Sequence, residues 1–171
     1  MGQITPCEAL VLRWAELCND PRWHDLPGKI ELNAYGVIEM SPATNRHGMK
    51  QAAISHALTQ QLPAGLAIVE CCILTDDGIR GPDVAWASSA FLARFGDESP
   101  FPQAPEICVE VRSPSNTDAE MALKTRLFLA AGAVEVWIVA EAGAWQIFDA
   151  LGAQPASRYA VQLTLPLPLP S

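Results

Sequence analysis

Residues 106–112 read Glu106-Ile107-Cys108-Val109-Glu110-Val111-Arg112. The alternation is strict: Ile107, Val109 and Val111 fall on one side, and Glu106, Cys108, Glu110 and Arg112 on the other. A period of two belongs to extended chain, so this stretch predicts a strand with its apolar side toward a core. Ser113-Pro114-Ser115-Asn116 breaks it. Thr117-Asp118-Ala119-Glu120 then has capping-box spacing, in which a threonine hydroxyl and a glutamate carboxylate each accept from the other's backbone N–H. A helix is expected from there, with Gly132 as its C-cap. Val134 to Val139 reads as a buried strand, and Ala144 to Phe148 as its hairpin partner.

Toward the N-terminus, strands are expected at Leu66 to Leu74 and Asp83 to Ala87, around a turn at Asp76-Asp77-Gly78. A short helix near Ser89 to Phe95 leads into a Pro-rich connection, Gly96 to Ala104. Pro6 to Cys18 has helical spacing of Leu10, Val11, Trp14 and Leu17, and Asn19-Asp20-Pro21 stops it. Lys29 to Asn33 and Val37 to Met40 predict a hairpin about Tyr35-Gly36. Ser41 to Asn45 is a loop, with Asn45 as the expected cap of a helix running to about Leu62. Strands and helices alternate without a strict βαβ rhythm, which predicts an α/β domain with a mixed sheet. We expect a single domain over residues 1–150 and a C-terminal extension over 151–171, ending in a polyproline-like tail from Leu165 to Pro170.

The chain has 171 residues, half of them hydrophobic, enough for one packed core. A net charge of −8 argues against gripping nucleic acid through a bulk basic surface, though not against an enzyme whose site is acidic to hold metal. The five cysteines, an odd number with no C-x-x-C pair and no zinc spacing, point to a reducing compartment, with the neighbours Cys71 and Cys72 expected as buried small hydrophobes. No secretory start and no bilayer-length apolar run are read, which predicts a cytoplasmic protein. A Gly-rich phosphate loop and a G-x-S-x-G elbow are both missing from the sequence.

Four residues carry candidate chemistry. Asp83 opens an apolar strand after Pro82, and Glu110 stands between Val109 and Val111. Glu39 is in the same position within Val37-Ile38-Glu39-Met40, and Lys124 lies on a helical stripe with Met121, Leu127 and Phe128. Each alone has an ordinary reading: a solvent-facing acid, a turn cap, a lysine snorkelling along apolar surface. Together they describe something else. Carboxylates brought close repel and take up protons unless a cation intervenes. Oxygen ligands without a His or Cys set select a hard ion such as Mg²⁺.

Asp83, followed by Glu110 with Arg112 two positions on, resembles the PD-(D/E)xK nuclease pattern. More narrowly the chain resembles the Uma-two family of restriction-endonuclease-like proteins. The stretches that match are Gly36 to Pro42 with His47 after it, Pro82-Asp83-Val84, Glu110 to Ser115, Lys124, Ala131-Gly132 and Glu135-Val136-Trp137. The resemblance implies a restriction-endonuclease-like core, a mixed β-sheet flanked by α-helices. It also implies a Mg²⁺- or Mn²⁺-dependent endonuclease whose metal is held by Asp83 and Glu110, with the Cys108 or Val111 carbonyl as a further oxygen. Lys124, with Arg112, would orient water or neutralise the phosphorane. Glu39 would serve as a second-metal or outer-shell ligand, and His47 would contact phosphate or shuttle a proton. Arg46, Lys50 and Arg80 would form a local basic rim for DNA, bound weakly, and a homodimer is expected because cutting two strands needs two sites. Two departures stand out: Arg112 replaces the superfamily's lysine, so that Lys124 is the expected cation, and Ala140 replaces an aspartate common in relatives. The rival readings are a non-catalytic dimerising or partner-binding module on the same fold, and a metal-dependent hydrolase of small phosphate esters.

Overall fold

The computed structural model describes residues 4–23, 28–41, 44–140 and 142–164. The polyproline-like tail and Pro42 lie outside them. The order is α1 (Pro6–Asn19), a single 3-10 turn, β1 (Lys29–Asn33), β2 (Ile38–Ser41), α2 (Asn45–Gln61), β3 (Gly65–Val69), β4 (Ile73–Thr75) and β5 (Gly78–Arg80). It continues with β6 (Val84–Ser88), α3 (Ser89–Phe95), β7 (Ile107–Val111), α4 (Asp118–Ala130), β8 (Glu135–Val139), β9 (Trp145–Asp149) and β10 (Gly152–Gln154).

Six strands form the main sheet in the order β10-β9-β8-β7-β6-β3. Only β7 and β8 run parallel, joined through α4, because a parallel pair cannot be closed by a tight turn. The mixed sheet and α/β class are therefore as read. The alternation in β7 has a different meaning from the one expected, since every residue of β7 and β8 is buried. Ile107, Val109 and Val111 pack with Val84, Trp86, Trp137 and Val139 beneath Ile54 and Leu58 of α2. Cys108, Ala85, Val136 and Ile138 pack with Phe91 of α3 and with Met121 and Phe128 of α4. The period of two thus sorts side chains between two cores, not between core and water.

A second sheet of four strands, β2-β1-β5-β4, is covered by α1, where Leu10, Trp14 and Leu17 meet Leu32 and Ile79. The single strand expected over Leu66 to Leu74 is divided between the two sheets. The break falls at Glu70, which takes a left-handed φ of 53°. The apolar run is continuous, but its halves bury against different partners, which sequence periodicity does not record.

The capping box of α4 forms as read: the Thr117 side chain accepts from the Glu120 N–H and the Glu120 carboxylate from that of Thr117. Ala131 is the residue at the C-cap, and Gly132 beyond it supplies the positive φ of 108° that ends the helix. α2 is capped by Thr44, whose hydroxyl accepts from the His47 N–H, in place of the expected Asn45.

Beyond residue 150 the chain stays with the same core. β10 pairs with β9, and Tyr159, Val161 and Leu163 pack on the α2 side. The Glu135 carboxylate, 2% exposed in central β8, accepts from Trp137 Nε1 at 2.8 Å, Ser157 Oγ at 2.7 Å and the Arg158 N–H at 2.7 Å. Among the described residues no helix is long and apolar enough to cross a membrane.

Candidate active site

The antiparallel register of β6 with β7 sets Val84 opposite Val109. One step further along both chains brings Asp83 opposite Glu110. Both are buried, at 5% and 3% exposure. Facing carboxylates on neighbouring strands are close enough to repel strongly, so the surrounding cations decide their state.

Glu110 points to the α4 side of the sheet. Because the capping box starts α4 at Asp118, its second turn carries Lys124 over the strand end, with Met121, Leu127 and Phe128 holding the helix on the core. Lys124 Nζ donates to both Glu110 oxygens at 3.0 and 3.1 Å. Burial nevertheless dominates: with the Asp83 charge added, it raises the Glu110 pKa to about 7 against the pull of Lys29 and Lys124.

Asp83 is held differently. Its Oδ2 accepts from the Val111 N–H at 2.7 Å, and its Oδ1 faces Lys29 Nζ at 3.2 Å and His47 Nε2 at 3.3 Å. Burial works against ionisation here too, but the His47 hydrogen bond and the Lys29 charge prevail and hold the pKa at about 2. The two acids of one cleft are thereby driven apart, one ionised and one poised near neutrality. This is the pattern that lets neighbouring carboxyl groups play different parts. His47, in the first turn of α2, is raised above the ordinary histidine value by its hydrogen bond to Asp83.

Around this group lies a cleft of about 470 Å³, lined by Lys29, Glu31, His47, Glu70, Asp83, Glu110, Lys124 and the loop from Ser113 to Asn116. It opens at the C-terminal end of β7, just beyond the parallel pair, where open α/β sheets bind their ligands. Of the residues named from sequence, Asp83, Glu110, Lys124 and His47 come together there. Glu39 does not line the cleft: it is exposed on edge strand β2, ion-paired with Arg80 and accepting from Asn33 Nδ2 at 3.2 Å. Arg112 stays on the α4 side of the sheet but does not line the cleft: it turns to Asp118 at 2.7 Å and borders a separate cavity of about 730 Å³ beside α4. The Asp118 carboxylate at the start of α4 is what draws it aside. Of the expected rim, Arg46 is exposed at the start of α2, Lys50 is buried, and Arg80 is engaged by Asp77, Glu31 and Glu39.

The sequence reading missed Lys29, Glu31, Gln51 and Glu70. Lys29 Nζ lies 3.8 Å from Glu31 Oε1, and the Gly81 N–H donates to that same oxygen at 2.9 Å. Gln51 Nε2 donates to Glu70 Oε1 at 3.2 Å and contacts the Asp83 carbonyl at 3.4 Å. Alternation within Lys29-Ile30-Glu31-Leu32 did mark a polar face. That face reads as solvent until the second sheet is laid over the main one.

Among the described residues, no three of His, Cys, Asp and Glu converge as a preformed metal cage. Two carboxylates do converge, and Mg²⁺ commonly takes one or two protein carboxylates and completes its shell with water and substrate phosphate. An all-oxygen pair, one member of which is buried beyond what its lysines compensate, fits such an ion.

The Uma2 family, described as "Putative restriction endonuclease", matches residues 20–163. A solved structure described as "a putative nuclease belonging to DUF820", from Anabaena variabilis, is similar at a TM-score of 0.58 and 17% identity, over 92% of each chain. That likeness is one of fold. No curated protein matches the chain.

Proposed function

The chain belongs to the Uma2 family, and from that premise we propose that it is a Mg²⁺- or Mn²⁺-dependent endonuclease hydrolysing DNA phosphodiesters in the Asp83–Glu110 cleft. The observation that carries the reading is the meeting of these two buried carboxylates, from different strands, with Lys124 on Glu110 and His47 on Asp83. Asp83 and Glu110 would hold the metal, which when bound supplies Lewis-acid polarisation of a phosphate and lowers the pKa of water.

The remaining chemistry belongs to the chain's own groups. Lys124 Nζ, drawn off Glu110, donates to a non-bridging phosphate oxygen and offsets the charge that develops there. His47 is protonated more readily than an ordinary histidine, so its Nε2 can give a proton to the leaving oxygen. The Val111 N–H fixes the Asp83 carboxylate and thereby its orientation. Ser113 and Ser115 line the same cleft and present hydroxyls where a phosphate backbone would pass. Cutting both strands calls for two such sites, so the acting species is a homodimer.

One observation favours a second reading, a hydrolase of small phosphate esters. Arg80 is occupied by acids and Lys50 is buried, so little of the expected DNA rim is on offer. Incubating the protein with plasmid, oligonucleotides and a chromogenic phosphodiester, each with Mg²⁺, Mn²⁺ or EDTA, separates the two. Nicked or linear plasmid that depends on metal, and is lost in Asp83→Asn and Glu110→Gln, is the expected result. Turnover of the small ester alone would establish the second reading, and no turnover under any condition would leave a non-catalytic module.

A further inference from the structure

We propose that Lys29 is a built-in counter-ion of the Asp83–Glu110 pair and, by competing with it, sets how tightly the cleft takes up a divalent cation. The inference rests on the metal-dependent reading above and assigns a role within it to a residue from the other sheet. Lys29 comes from β1, yet its ammonium lies 3.2 Å from Asp83 Oδ1 and 3.8 Å from Glu31 Oε1. Its side chain is only 11% exposed.

The stem runs in a closed slot. A Cβ at position 81 would meet the Cys71 carbonyl at 2.8 Å and Lys29 Cε at 3.2 Å, so the glycine backbone forms one close wall of the slot. Burial works against the charge on Lys29, but Glu110, Asp83 and Glu31 outweigh it and keep the group protonated beyond the ordinary lysine range.

The two lysines of the cleft therefore differ. Lys124 projects from a helix at 25% exposure and can swing from Glu110 toward water or phosphate. Lys29, at less than half that exposure and with Gly81 against its stem, is held in place. A divalent ion entering between Asp83 and Glu110 meets a fixed positive charge at hydrogen-bond distance from one of its ligands, in surroundings that screen poorly. The free protein then binds metal weakly, and the phosphates of a substrate, by adding negative charge, complete the site. Without metal, the same ammonium is what keeps three acids folded together, because removing one partner of a buried charge cluster leaves the others uncompensated.

Calorimetric titration of Mn²⁺ into the intact protein tests this without any activity readout. Lys29→Met should bind Mn²⁺ at least tenfold more tightly than wild type, while Lys29→Arg, which keeps the charge, should stay within about threefold of it. Should Lys29→Met fail to fold, Lys29→Gln, which can still donate to Asp83, carries the same expectation of tighter binding. Equal or weaker affinity in the neutral variants, with wild-type binding still abolished by Asp83→Asn, would overturn the role of Lys29 and leave the metal site standing. Absence of Mn²⁺ binding in wild type and in both neutral variants would overturn the metal-dependent reading along with it.

Discussion

Glu110→Gln should flatten the pH dependence of stability. Burial raises the folded-state pKa of Glu110 from 4.5 to about 7, so the folded protein binds its proton more tightly than the unfolded chain does. The stability this gives is complete below the unfolded pKa and is lost as pH rises through about 7. At ~1.4 kcal/mol per tenfold change in proton affinity, the whole effect is roughly 3 kcal/mol, most of which falls between about pH 5 and about pH 8.5. Asp83, held at about 2, is ionised throughout that window and contributes no slope. His47 loses its contribution in the same direction as Glu110, but its leading cause, the Asp83 hydrogen bond, is kept in both proteins, so only the smaller part owed to the Glu110 charge enters their difference. The assay is urea unfolding followed by tryptophan fluorescence, since Trp86 and Trp137 are buried beside the site's strands. Wild type minus variant should change by roughly 2–3 kcal/mol across the window, and excess Mg²⁺ should shrink the change by favouring the ionised carboxylate. Parallel profiles, differing by a constant, would refute the claim that burial outweighs the lysines at Glu110.

Lys124→Met should keep the fold and the metal-induced rise in melting temperature yet lose nearly all cleavage, whereas Arg112→Leu, whose partner is Asp118, should retain most of it; plasmid cleavage and thermal shift on both variants check the ranking. Glu135→Ala leaves Trp137 Nε1, Ser157 Oγ and the Arg158 N–H without their acceptor and should cost on the order of 3 kcal/mol in urea unfolding. DNA binding should be weak and fall steeply with salt, and Arg46→Glu should weaken it for every sequence alike in a fluorescence-anisotropy titration.

What could be read along the chain was whatever local chemistry determines. The capping box at Thr117, the β1–β2 hairpin and the β7–α4–β8 unit are each specified within about thirty residues, and turn chemistry and periodicity suffice for them. Asp83, Glu110 and Lys124 were legible because acids and a lysine inside apolar runs are costly without partners. Lys29 and Glu31 were not, because an alternating polar face carries the same pattern whether water or another sheet covers it. Glu39 was misleading for the mirror-image reason. Its apolar neighbours suggest burial, but β2 is an edge strand and leaves it exposed beside Arg80.

The Glu135 carboxylate also sets an order of events during synthesis. Strand β8 is at the centre of the main sheet, yet the groups that receive its buried acid lie some twenty residues downstream, at Ser157 and Arg158. At translation rates of about 5–20 residues per second, the nascent chain spends a second or more with every main-sheet strand up to β8 made and this acid still lacking its closing partners. The segment around Ser157 therefore acts as a latch on β8. The strand beside β7, whose Glu110 faces Asp83, has its buried acid fully satisfied only after Ser157 and Arg158 have been made, so a ribosome stalled before residue 157 would hold a main sheet with an uncompensated carboxylate at its centre.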